Sequence, residues 1–507
     1  MAKRSSASET VAVIDLGSNS GRVIVYRPEA GGHLQILAGS RAPLRLVRQL
    51  DQTGRIPAEA LERAFEALAD FRAIARGSGA SRMIAVGTSA LRDSANGPAF
   101  MRRVRRELGI RIRQLSGVEE ARYGFLGAVG GLPAEHGVLF DLGGGSLQIA
   151  RFRGRRLLGA TSLPLGALRV SDAFLRSDPP SPREMRKLRE HARGLLGEAG
   201  IAPLGEGERL VGTGGTLRNV AKIDQRASGY PISRLHGYVL ARRRVHEIAT
   251  ALAARRQKKR SRVPGLNEDR RDSVVGGAIV IDNLMDVLGA TEALVSGQGV
   301  REGLALSLTT ETLAAPEAAR AASLQALAGR FAGWSGERAR RREAAAGALL
   351  HSLEPWPDPE VREALLEAAR LLDIGRTVDF FDRHDHVADL VLATDLAGFS
   401  HRQVALLSAV LRKAGDEDAP ARSLAPLVTR EDRRAIERAA VVLALADEIT
   451  ERCPPGTPLT VDCRRRGHDA VVSVPAIASF RPRGLAGRFE RAFSLRLRVV
   501  PGAARRR

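Results

Sequence analysis

Cysteine, aromatic side chains and long apolar runs are all scarce in this chain of 507 residues. Its two cysteines, Cys453 and Cys463, are too few for a disulfide framework and are not spaced like the ligands of a zinc site. No apolar run approaches the length that crosses a bilayer, and the polar N-terminal stretch MAKRSSASET does not predict a secretory signal. We therefore expect a cytoplasmic protein without a membrane anchor.

Acidic residues are also few relative to basic ones. The chain has 57 Asp and Glu against 79 Lys and Arg, a formal net charge of +22. Such an excess favours polyanionic partners, although a composition rich in Arg and Ala gives the same excess without any function. With only 4% aromatic residues, stacking of nucleic-acid bases is disfavoured. The basic run RRQKKRSR (255–262) is either a solvated loop or helix end, or a patch that steers polyanions to a cleft.

Two segments of the chain repeat each other without gaps, VAVIDLGSNSGRVIVY at 11–26 and GVLFDLGGGSLQIARF at 137–152. The equivalent positions in the turns are Asp15 and Asp141, Gly17 and Gly143, and Ser20 and Ser146. Each segment is typical of a strand, a glycine turn and a second strand, and helical patterns follow each of them. The repeat therefore predicts two related α/β lobes.

Four domains follow from the hydrophobic pattern. Strands alternate with helices at first, long helical patterns come next, and strand signals return only after CPPGTP. The predicted domains are lobe I at 1–130, lobe II at 131–312, an all-helical domain at 316–455 and a small α/β domain at 456–507. We expect the basic end of the last domain, ARRR, to be disordered.

Glycine turns of this kind can bind phosphate. Glycine lets a ligand approach the backbone closely, and successive N–H groups at a tight bend form an anion-binding nest. A third turn, VGTGGTLRN (211–219), leads into a predicted helix whose N-terminus favours another phosphate. A single glycine turn most often only reverses the chain. Two aligned copies and a third turn together predict phosphate binding.

Six motifs occur in one order over roughly the first 310 residues. They are DLGSNS (15–20), GTSALRD (87–93), LSGVEEAR (115–122), DLGGGS (141–146), GTGGTLRN (212–219) and GVREGL (299–304). This set resembles the exopolyphosphatase / guanosine pentaphosphate phosphohydrolase family of the actin, hexokinase and heat-shock chaperone ATPase superfamily. The resemblance implies two ribonuclease H-like lobes around a cleft. It also implies hydrolysis of the terminal phosphoryl group of inorganic polyphosphate or of the 5′-phosphate of guanosine pentaphosphate.

The resemblance implies a role for each motif. Glu120 would orient or deprotonate the attacking water, and Arg92 would clamp the terminal phosphate. Asp15 and Asp141 would place Mg²⁺, and a monovalent cation is a further candidate cofactor. Phosphate contacts are predicted for Gly17, Ser18, Asn19, Ser20, Gly143, Gly144, Gly145, Ser146, Gly214, Gly215 and Thr216. Without the resemblance, the glutamate would only complement a helix dipole, and Arg92 would form a surface ion pair with Asp93.

One residue of the second glycine turn departs from the family pattern. The family usually has Glu two residues after the position of Ser146, where it supports metal or water binding, and this chain has Gln148, which adds no charge. Two hypotheses follow: a Mg²⁺-dependent hydrolase, and a weak or inactive protein that binds polyphosphate or guanosine alarmones and regulates a partner. A kinase using ATP is a third hypothesis, disfavoured because LSGVEEAR supplies a carboxylate where water would be activated.

The helical region resembles, more weakly, the degenerate HD-type domain of the long family members. A working HD site needs adjacent His and Asp, and this chain has Leu372–Asp373. We interpret His384, His386 and His401 as structural or surface histidines rather than metal ligands. This domain is expected to extend a polyanion channel or a dimer interface, and we expect a homodimer.

Overall fold

A computed structural model gives the structure of the protein and describes residues 9–29, 33–47, 50–310, 312–353, 358–416, 421–477 and 480–500. The chain forms two compact units. The first is Met1–Gly229 with Arg234–Ser323, and the second is Tyr230–Ser233 with Leu324–Arg507. The basic end ARRR, predicted to be disordered, lies outside the described residues.

The first sheet of the first unit has five strands in the order β3-β2-β1-β4-β5. They are β1 (Val11–Leu16), β2 (Ser20–Pro28), β3 (Leu34–Pro43), β4 (Arg82–Gly87) and β5 (Ile112–Gln114). The helices of this region are α1 (Leu50–Thr53), α2 (Ala58–Gly77), α3 (Ser89–Arg92), α4 (Gly97–Leu108) and α5 (Gly117–Gly130). Strand β1 is antiparallel to β2 and parallel to β4. Apart from Asp15 it is a continuous buried apolar run, as expected for a central strand.

The second sheet of the same unit has six strands in the order β10-β11-β9-β6-β7-β8. They are β6 (Gly137–Leu142), β7 (Leu147–Arg153), β8 (Arg156–Leu163), β9 (Arg209–Thr213), β10 (Tyr238–Ala241) and β11 (Glu292–Val295). The helices are α6 (Ala167–Phe174), α7 (Pro182–Glu198), α8 (Gly215–Ser228), α9 (Arg242–Ala253), α10 (Gln257–Arg260), α11 (Val274–Val287) and α12 (Val300–Leu306), with a 3-10 turn at Glu268–Arg270.

The duplicated sequence forms duplicated hairpins with the same register. In the β1–β2 hairpin Asp15 lies opposite Arg22, and in the β6–β7 hairpin Asp141 lies opposite Gln148. Each aspartate stands at the carboxyl end of a strand that also pairs with a parallel neighbour, β4 or β9. Ligands of α/β sheets bind beyond the carboxyl ends of such strands. The two hairpins therefore place their glycine turns where a ligand is expected.

Two helices cross between the lobes, which corrects the predicted boundary at 130/131. Helix α5 contributes Phe125 and Leu126 to the core that contains Phe152 of the second sheet. Helix α12 contributes Leu304 to the core of the first sheet, and the Tyr26 hydroxyl donates a 2.6 Å hydrogen bond to its Glu302. The chain thus passes from one sheet to the other before each helix. From here on, lobe I means the first sheet with its packed helices, and lobe II means the second sheet with its own.

The second unit is mainly helical. Its helices begin with α13 (Pro316–Ala328), within which the boundary between the units falls, and continue with α14 (Gly336–Ser352), α15 (Pro359–Leu371), α16 (Arg383–Ala393), α17 (His401–Gly415) and α18 (Asp432–Arg452). The last elements are β12 (Asp462–Arg466), β13 (Asp469–Ser473), α19 (Arg483–Phe493) and β14 (Arg496–Val500). Strands β12, β13 and β14 form one sheet in that order. In the parts of the chain that the structure describes, no helix is long and apolar enough to cross a membrane.

The boundary predicted at 455/456 divides a single hydrophobic core. Cys463, Ala470 and Phe489 from the last elements pack in the same buried cluster as Leu443 and Leu445 of α18. Three short strands and one helix are too few to bury a core of their own, so they complete the core of the helical region instead. The helical domain and the small α/β domain are therefore parts of one unit.

Candidate active site

A cavity of about 110 Å³ lies between the two lobes, where the duplicated hairpins face each other. The predicted residues that line it are Asp15, Gly17, Ser18, Asn19, Ser20, Glu120, Asp141, Gly143, Gly144, Ser146, Gly214 and Gly215. The three glycine turns and the three predicted acidic residues therefore share one small space. The backbone of each hairpin turn is closed in the same way, by Gly17 N–H donating to Ser20 O (3.2 Å) and Gly143 N–H donating to Ser146 O (3.0 Å).

Gly145 and Thr216 are not among the residues that line this cavity, so their predicted phosphate contacts stay predictions. A Cβ atom on Gly145 would stand 2.6 Å from Ser89 Oγ and 2.8 Å from Ser18 Oγ, so this glycine allows the two turns to approach each other. Thr216 is fully buried in the first turn of α8. The third turn presents Gly214 instead, whose φ of 104° is one that glycine adopts readily.

Glu120 reaches the cavity from the first turn of α5. That helix begins with a capping box, in which Ser116 and Glu119 bond to each other's backbone N–H groups (3.2 and 2.9 Å). Glu119 is thereby used as a helix cap, and its pKa is lowered by these bonds. Glu120 is left buried and directed to the cavity, so the two neighbouring glutamates have different roles.

The three carboxylates disfavour ionisation of one another. Burial, followed by the charges of Asp141 and Asp15, raises the pKa of Glu120 to about 8, although Arg92 opposes this. Burial also raises the pKa of Asp141 to about 6, and the charge of Asp15 adds to the effect. The pKa of Asp15 is raised by burial as well. Such a cluster favours a bound proton or cation.

Four arginines that the sequence analysis did not assign line the same cavity: Arg22, Arg218, Arg270 and Arg301. Burial, followed by the charges of Arg301 and Arg218, lowers the pKa of Arg22 to about 9. Burial also lowers the pKa of Arg270 to about 10, and it lowers that of Arg218. Like charges held together in a half-closed space are complementary to a polyanion.

Two of these arginines had a signal in the sequence. Arg218 lies in the motif GTGGTLRN and Arg301 in GVREGL, both quoted above for the family resemblance. Arg22 could have been found from the repeat, since it occupies the position of Gln148 in the first copy. Arg270 is the last residue of a 3-10 turn and belongs to none of the quoted motifs, so only the tertiary fold brings it to the cavity.

The model of the Ppx/GppA phosphatase family matches residues 24–312, and the model of Ppx/GppA phosphatase domain III matches residues 320–463. The chain belongs to the Ppx/GppA phosphatase family. The resemblance inferred from the motifs is thereby confirmed, and with it the actin-like pair of mixed α/β lobes followed by a helical region. The HD-type likeness of that region, the homodimer and the cytoplasmic location stay predictions.

Similar proteins in this family match somewhat more than half of this chain. Exopolyphosphatase 1 of Mycobacterium leprae is 30% identical over 298 residues, which are 58% of this chain and 88% of that protein. Exopolyphosphatase 2 of Mycobacterium tuberculosis is 31% identical over 313 residues, 59% of this chain and 98% of that protein. The crystal structure of the Aquifex aeolicus family member has a TM-score of 0.52 at 26% identity and covers 59% of this chain and 97% of its own.

Arg92, predicted to clamp the terminal phosphate, does not line the cavity of this Ppx/GppA protein. Its Nη1 donates to the carbonyl oxygen of Leu115 (2.9 Å) and lies 3.5 Å from Glu120 Oε2. Its Nε lies 3.3 Å from Asp93. The side chain thus connects the end of α3 to the start of α5. In this structure Arg92 contacts Glu120, and its predicted role at the terminal phosphate stays a prediction.

Gln148 is buried and does not line the cavity either. Its Nε2 donates to Ser146 Oγ (2.7 Å) and to Ser162 Oγ (3.1 Å), so it joins the second glycine turn to the neighbouring strand. Because the Ser146 hydroxyl accepts from the amide, its own hydrogen is available for a ligand in the cavity. The departure from the family pattern therefore removes a charge while keeping Ser146 in place.

The residues of the cavity supply some, but not all, of the ligand atoms that Mg²⁺ requires. Within the described residues, no group of three or more His, Cys, Asp or Glu is close enough to hold a metal ion. Asp15 Oδ2 accepts a 3.1 Å bond from Arg301, whereas its buried Oδ1 has no hydrogen-bond partner in the same set of residues. Mg²⁺ is commonly bound by one or two carboxylates and completed by waters and substrate phosphates. Asp15 and Asp141 fit that mode of binding.

The aspartate that follows Leu372 in the helical unit is held in ion pairs. Asp373 accepts a 2.7 Å bond from the fully buried Arg342, which also donates to Asp447 (2.8 Å). A buried arginine thus supplies the positive charge beside this aspartate. Burial lowers the pKa of His384 to about 4, and His401 Nδ1 lies 3.1 Å from the Tyr230 hydroxyl.

The basic run 255–262 contains one structural residue among exposed ones. Arg260 is buried, and its guanidinium donates to the carbonyl oxygens of Leu252 (2.9 Å), Arg255 (3.0 Å) and Arg271 (3.1 Å). It therefore binds the carboxyl end of α9 and holds the following loop. The other cations of the run are exposed, so both interpretations of this patch stay open for them.

Proposed function

We propose that this protein hydrolyses the terminal phosphoryl group of inorganic polyphosphate, and that the 5′-phosphate of guanosine pentaphosphate is the alternative substrate of the same site. One observation carries the proposal: opposed glycine turns and four arginines surround a buried glutamate whose pKa is raised to about 8. Backbone N–H groups and guanidinium groups are the donors that phosphate needs. The glutamate adds a group that can accept a proton beside the bound phosphate.

Glu120 is the proposed general base. Its Oε2 is buried and, apart from the 3.5 Å ion pair with Arg92, has no hydrogen-bond partner among the residues that the structure describes, so it can accept a hydrogen bond from water. A general base works best when its pKa is close to the operating pH. Burial, together with the charges of Asp141 and Asp15, raises the pKa of Glu120 into that range. In the reaction a water oxygen attacks the terminal phosphorus, Glu120 takes the water proton, and the bridging oxygen leaves with the shortened chain.

The arginines and the glycine turns are proposed to bind the transferring phosphoryl group. Charge spreads over its outer oxygens in the transition state, so catalysis depends on positioned donors around it. Ser18 and Ser20 face the group from lobe I, and Ser146 and Gly144 face it from lobe II. Arg22 and Arg218 provide planar donor groups that match a phosphate oxygen pair.

We include Mg²⁺ in the proposal as a substrate-associated cation held by Asp15 and Asp141. When bound there, it would withdraw negative charge from the phosphoryl oxygens. The free Oδ1 of Asp15 and the raised pKa of Asp141 support this, because a cation relieves the repulsion among the carboxylates. The residues themselves supply the binding groups and the base.

A regulatory binding protein is the second candidate. It is favoured by Gln148, which is neutral and lies outside the cavity, so the site has one carboxylate fewer than the family pattern. The same arginines and turns would then bind polyphosphate or guanosine alarmones without turnover. Binding would be tight and sensitive to salt, because it rests on the release of counterions from a polyanion.

Phosphate release from polyphosphate and from guanosine pentaphosphate, measured across Mg²⁺ concentrations, separates the candidates. We expect release that requires Mg²⁺ and that shortens polyphosphate from its ends. Salt-sensitive binding of both compounds without release of phosphate would favour the regulatory protein. Transfer of phosphate from ATP to an acceptor would contradict both candidates and indicate a kinase.

A further inference from the structure

We propose that Arg41 and Arg45 form a second anion-binding subsite at the mouth of the cleft, which binds the distal phosphates of a long polyphosphate chain. Asp269 and Asp272 pair with these arginines when no chain is bound. The choice of polyphosphate as the ligand rests on the proposed function. The subsite itself is defined by the geometry of the described residues.

A row of side chains leads from the cavity to the edge of the first sheet. Asp15 lies opposite Arg22 across the β1–β2 pair, and Arg22 lies opposite Arg41 across the β2–β3 pair. Directly opposite residues share one face of a sheet, and strands are about 4.8 Å apart, so the row extends about 10 Å. Since β3 is the edge strand, the row ends at the edge of the sheet, where the Arg41 side chain is partly exposed to solvent.

The charge of Arg41 acts on the arginines of the inner cavity. Burial is the main cause that lowers the pKa values of Arg22, Arg218 and Arg270, and the charge of Arg41 contributes in all three cases. Arg41 is thus close enough to act on each of these cavity arginines. A polyanion bound in the cavity would therefore meet a further cation on its way out.

Arg45 is fixed in place by the phosphate turn of lobe I. The backbone N–H groups of Leu44 and Arg45 both donate to the carbonyl oxygen of Asn19, at 2.9 and 3.0 Å. Arg45 has a φ of 53°, a left-handed conformation that costs a residue with a side chain about 1 kcal/mol or more. Such strain persists where the surrounding structure imposes it, often at binding sites. The turn that lines the cavity therefore also sets the position of Arg45.

A second cavity, of about 490 Å³, has both mouth arginines in its lining. It is lined by Arg41, Pro43, Arg45, Glu268, Asp269 and Arg271. Arg270, between two of these residues in the chain, lines the first cavity. The segment 269–271 thus contributes neighbouring residues to both cavities, so we expect a chain of phosphates to pass from one cavity to the other at this segment.

Both mouth arginines form ion pairs in the free protein. Arg45 Nη1 lies 2.9 Å from Asp272 Oδ2, and Arg41 is hydrogen-bonded to Asp269. All four side chains keep some exposure to solvent, and ion pairs of this kind contribute little stability. A phosphate chain carries a charge on every unit and offers paired oxygens to each guanidinium, so it can displace the carboxylates. A short anion that fits the inner cavity does not gain this contact.

The test compares chain lengths. The variant Arg41→Met/Arg45→Met, the variant Asp269→Asn/Asp272→Asn and the wild type are assayed for phosphate release from long polyphosphate and from tripolyphosphate. Arg186→Met/Arg243→Met is the control, because it removes two charges from exposed helical arginines that also pair with glutamates. We expect the arginine variant to lower kcat/KM for long chains at least tenfold more than for tripolyphosphate. The loss should come from a higher KM for long chains, because the subsite binds substrate. We expect the asparagine variant to raise kcat/KM for long chains relative to tripolyphosphate at least threefold.

Equal losses on both substrates, no loss, or the same loss in the control would overturn the subsite. Misfolding cannot imitate the expected result, since the two variants move long-chain activity in opposite directions. If the wild type releases phosphate from neither substrate, the proposed hydrolysis fails. The subsite is then judged from calorimetric affinities of the same four proteins for long polyphosphate and tripolyphosphate, with the same tenfold difference expected.

Discussion

The two lobes carry the same row of cross-strand positions, but they fill it with different residues. The row is Asp15, Arg22 and Arg41 in lobe I, and Asp141, Gln148 and Ser162 in lobe II. Both rows begin with a carboxylate at the end of a central strand, next to a glycine turn. Beyond it, lobe I continues with charges towards the cleft mouth, and lobe II continues with a neutral, internally hydrogen-bonded pair.

The comparison distinguishes features that both copies of the repeat share from side chains that occur in only one copy. The repeat provides the turns and the two carboxylates, which need only local geometry. The amide nitrogen of Gln148 donates its hydrogen bonds to two serines of lobe II, so the polar groups of this row have partners without a ligand. Arg22 instead faces other arginines and has a lowered pKa. We therefore expect a bound anion to stabilise the row of lobe I and not the row of lobe II.

Substitution of Glu120, the proposed general base, has the largest expected effect on the rate of phosphate release. Glu120 is influenced by the charges of Asp141 and Asp15 alike. We expect Glu120→Gln to lower the rate of phosphate release by about 10²–10⁴-fold, the usual contribution of a general base. Glu119→Gln is the matched control, since that neighbour serves as a helix cap and its loss lowers thermal stability rather than rate. Equal rates in wild type and Glu120→Gln would show that another group activates water.

The next largest effect is expected on polyphosphate affinity, when Arg22 of lobe I is replaced by Gln, the residue at the equivalent position 148 of lobe II. Arg22→Gln removes a charge-assisted donor worth about 1.5–3 kcal/mol, so polyphosphate affinity is expected to fall about 10- to 100-fold. The repulsion from Arg301 and Arg218 is removed at the same time, so the melting temperature without ligand is expected to rise. Arg27→Gln is the control on the same strand, because Arg27 is exposed and pairs with Gln35. A lower melting temperature with unchanged affinity would mean that Arg22 is structural.

The free energy of unfolding should depend on pH, because the carboxylates of the cluster destabilise the folded protein when they are ionised. The pKa of Glu120 is about 8 in the folded protein and 4.5 ordinarily. An acid with a raised folded pKa contributes its stability fully below pH 4.5 and loses it as the pH rises through about 8. The free energy of unfolding of Glu120→Gln minus that of wild type should therefore increase from pH 5 to pH 8, by more than about 1 kcal/mol. A difference that stays constant in chemical denaturation at these pH values would contradict the raised pKa.

The smallest effect is expected from giving lobe II the charge that the family pattern has. Gln148→Glu places a carboxylate beside Ser146, across the strand pair from Asp141. A further negative charge attracts a cation more strongly, so the Mg²⁺ concentration for half-maximal phosphate release should fall about threefold. Gln148→Met, similar in size and neutral, should not shift it. A large increase in the maximal rate of Gln148→Glu would instead show that the wild-type amide limits catalysis and would favour the regulatory candidate.

The sequence predicted what depends on short contiguous segments. The repeat, the three turns and the acidic residues Asp15, Glu120 and Asp141 lie within motifs, and the cavity contains all of them. The family and the pair of α/β lobes could be predicted for the same reason. Motifs do not show how a residue packs, so the close packing of Gly145 and the bond from Arg92 to the Leu115 carbonyl oxygen were not predicted.

The remaining features depend on tertiary register. Arg22 and Arg41 meet only because β3 pairs with β2 in one register, and Arg270 arrives from a loop 250 residues along the chain. The exchange of α5 and α12 between the lobes likewise depends on which core buries each helix. Hydrophobic periodicity shows that a helix has an apolar face but does not identify the sheet that covers it.

Binding of tripolyphosphate to the Glu120→Gln protein tests the central claim most directly, because this variant is expected to bind without turnover. In calorimetric titrations with Mg²⁺, we predict one site per chain, weakened at least tenfold when Arg22→Gln is added and less than threefold when Gln148→Met is added. The absence of binding, or equal losses from the two added substitutions, would contradict a phosphate site that depends on the row of lobe I.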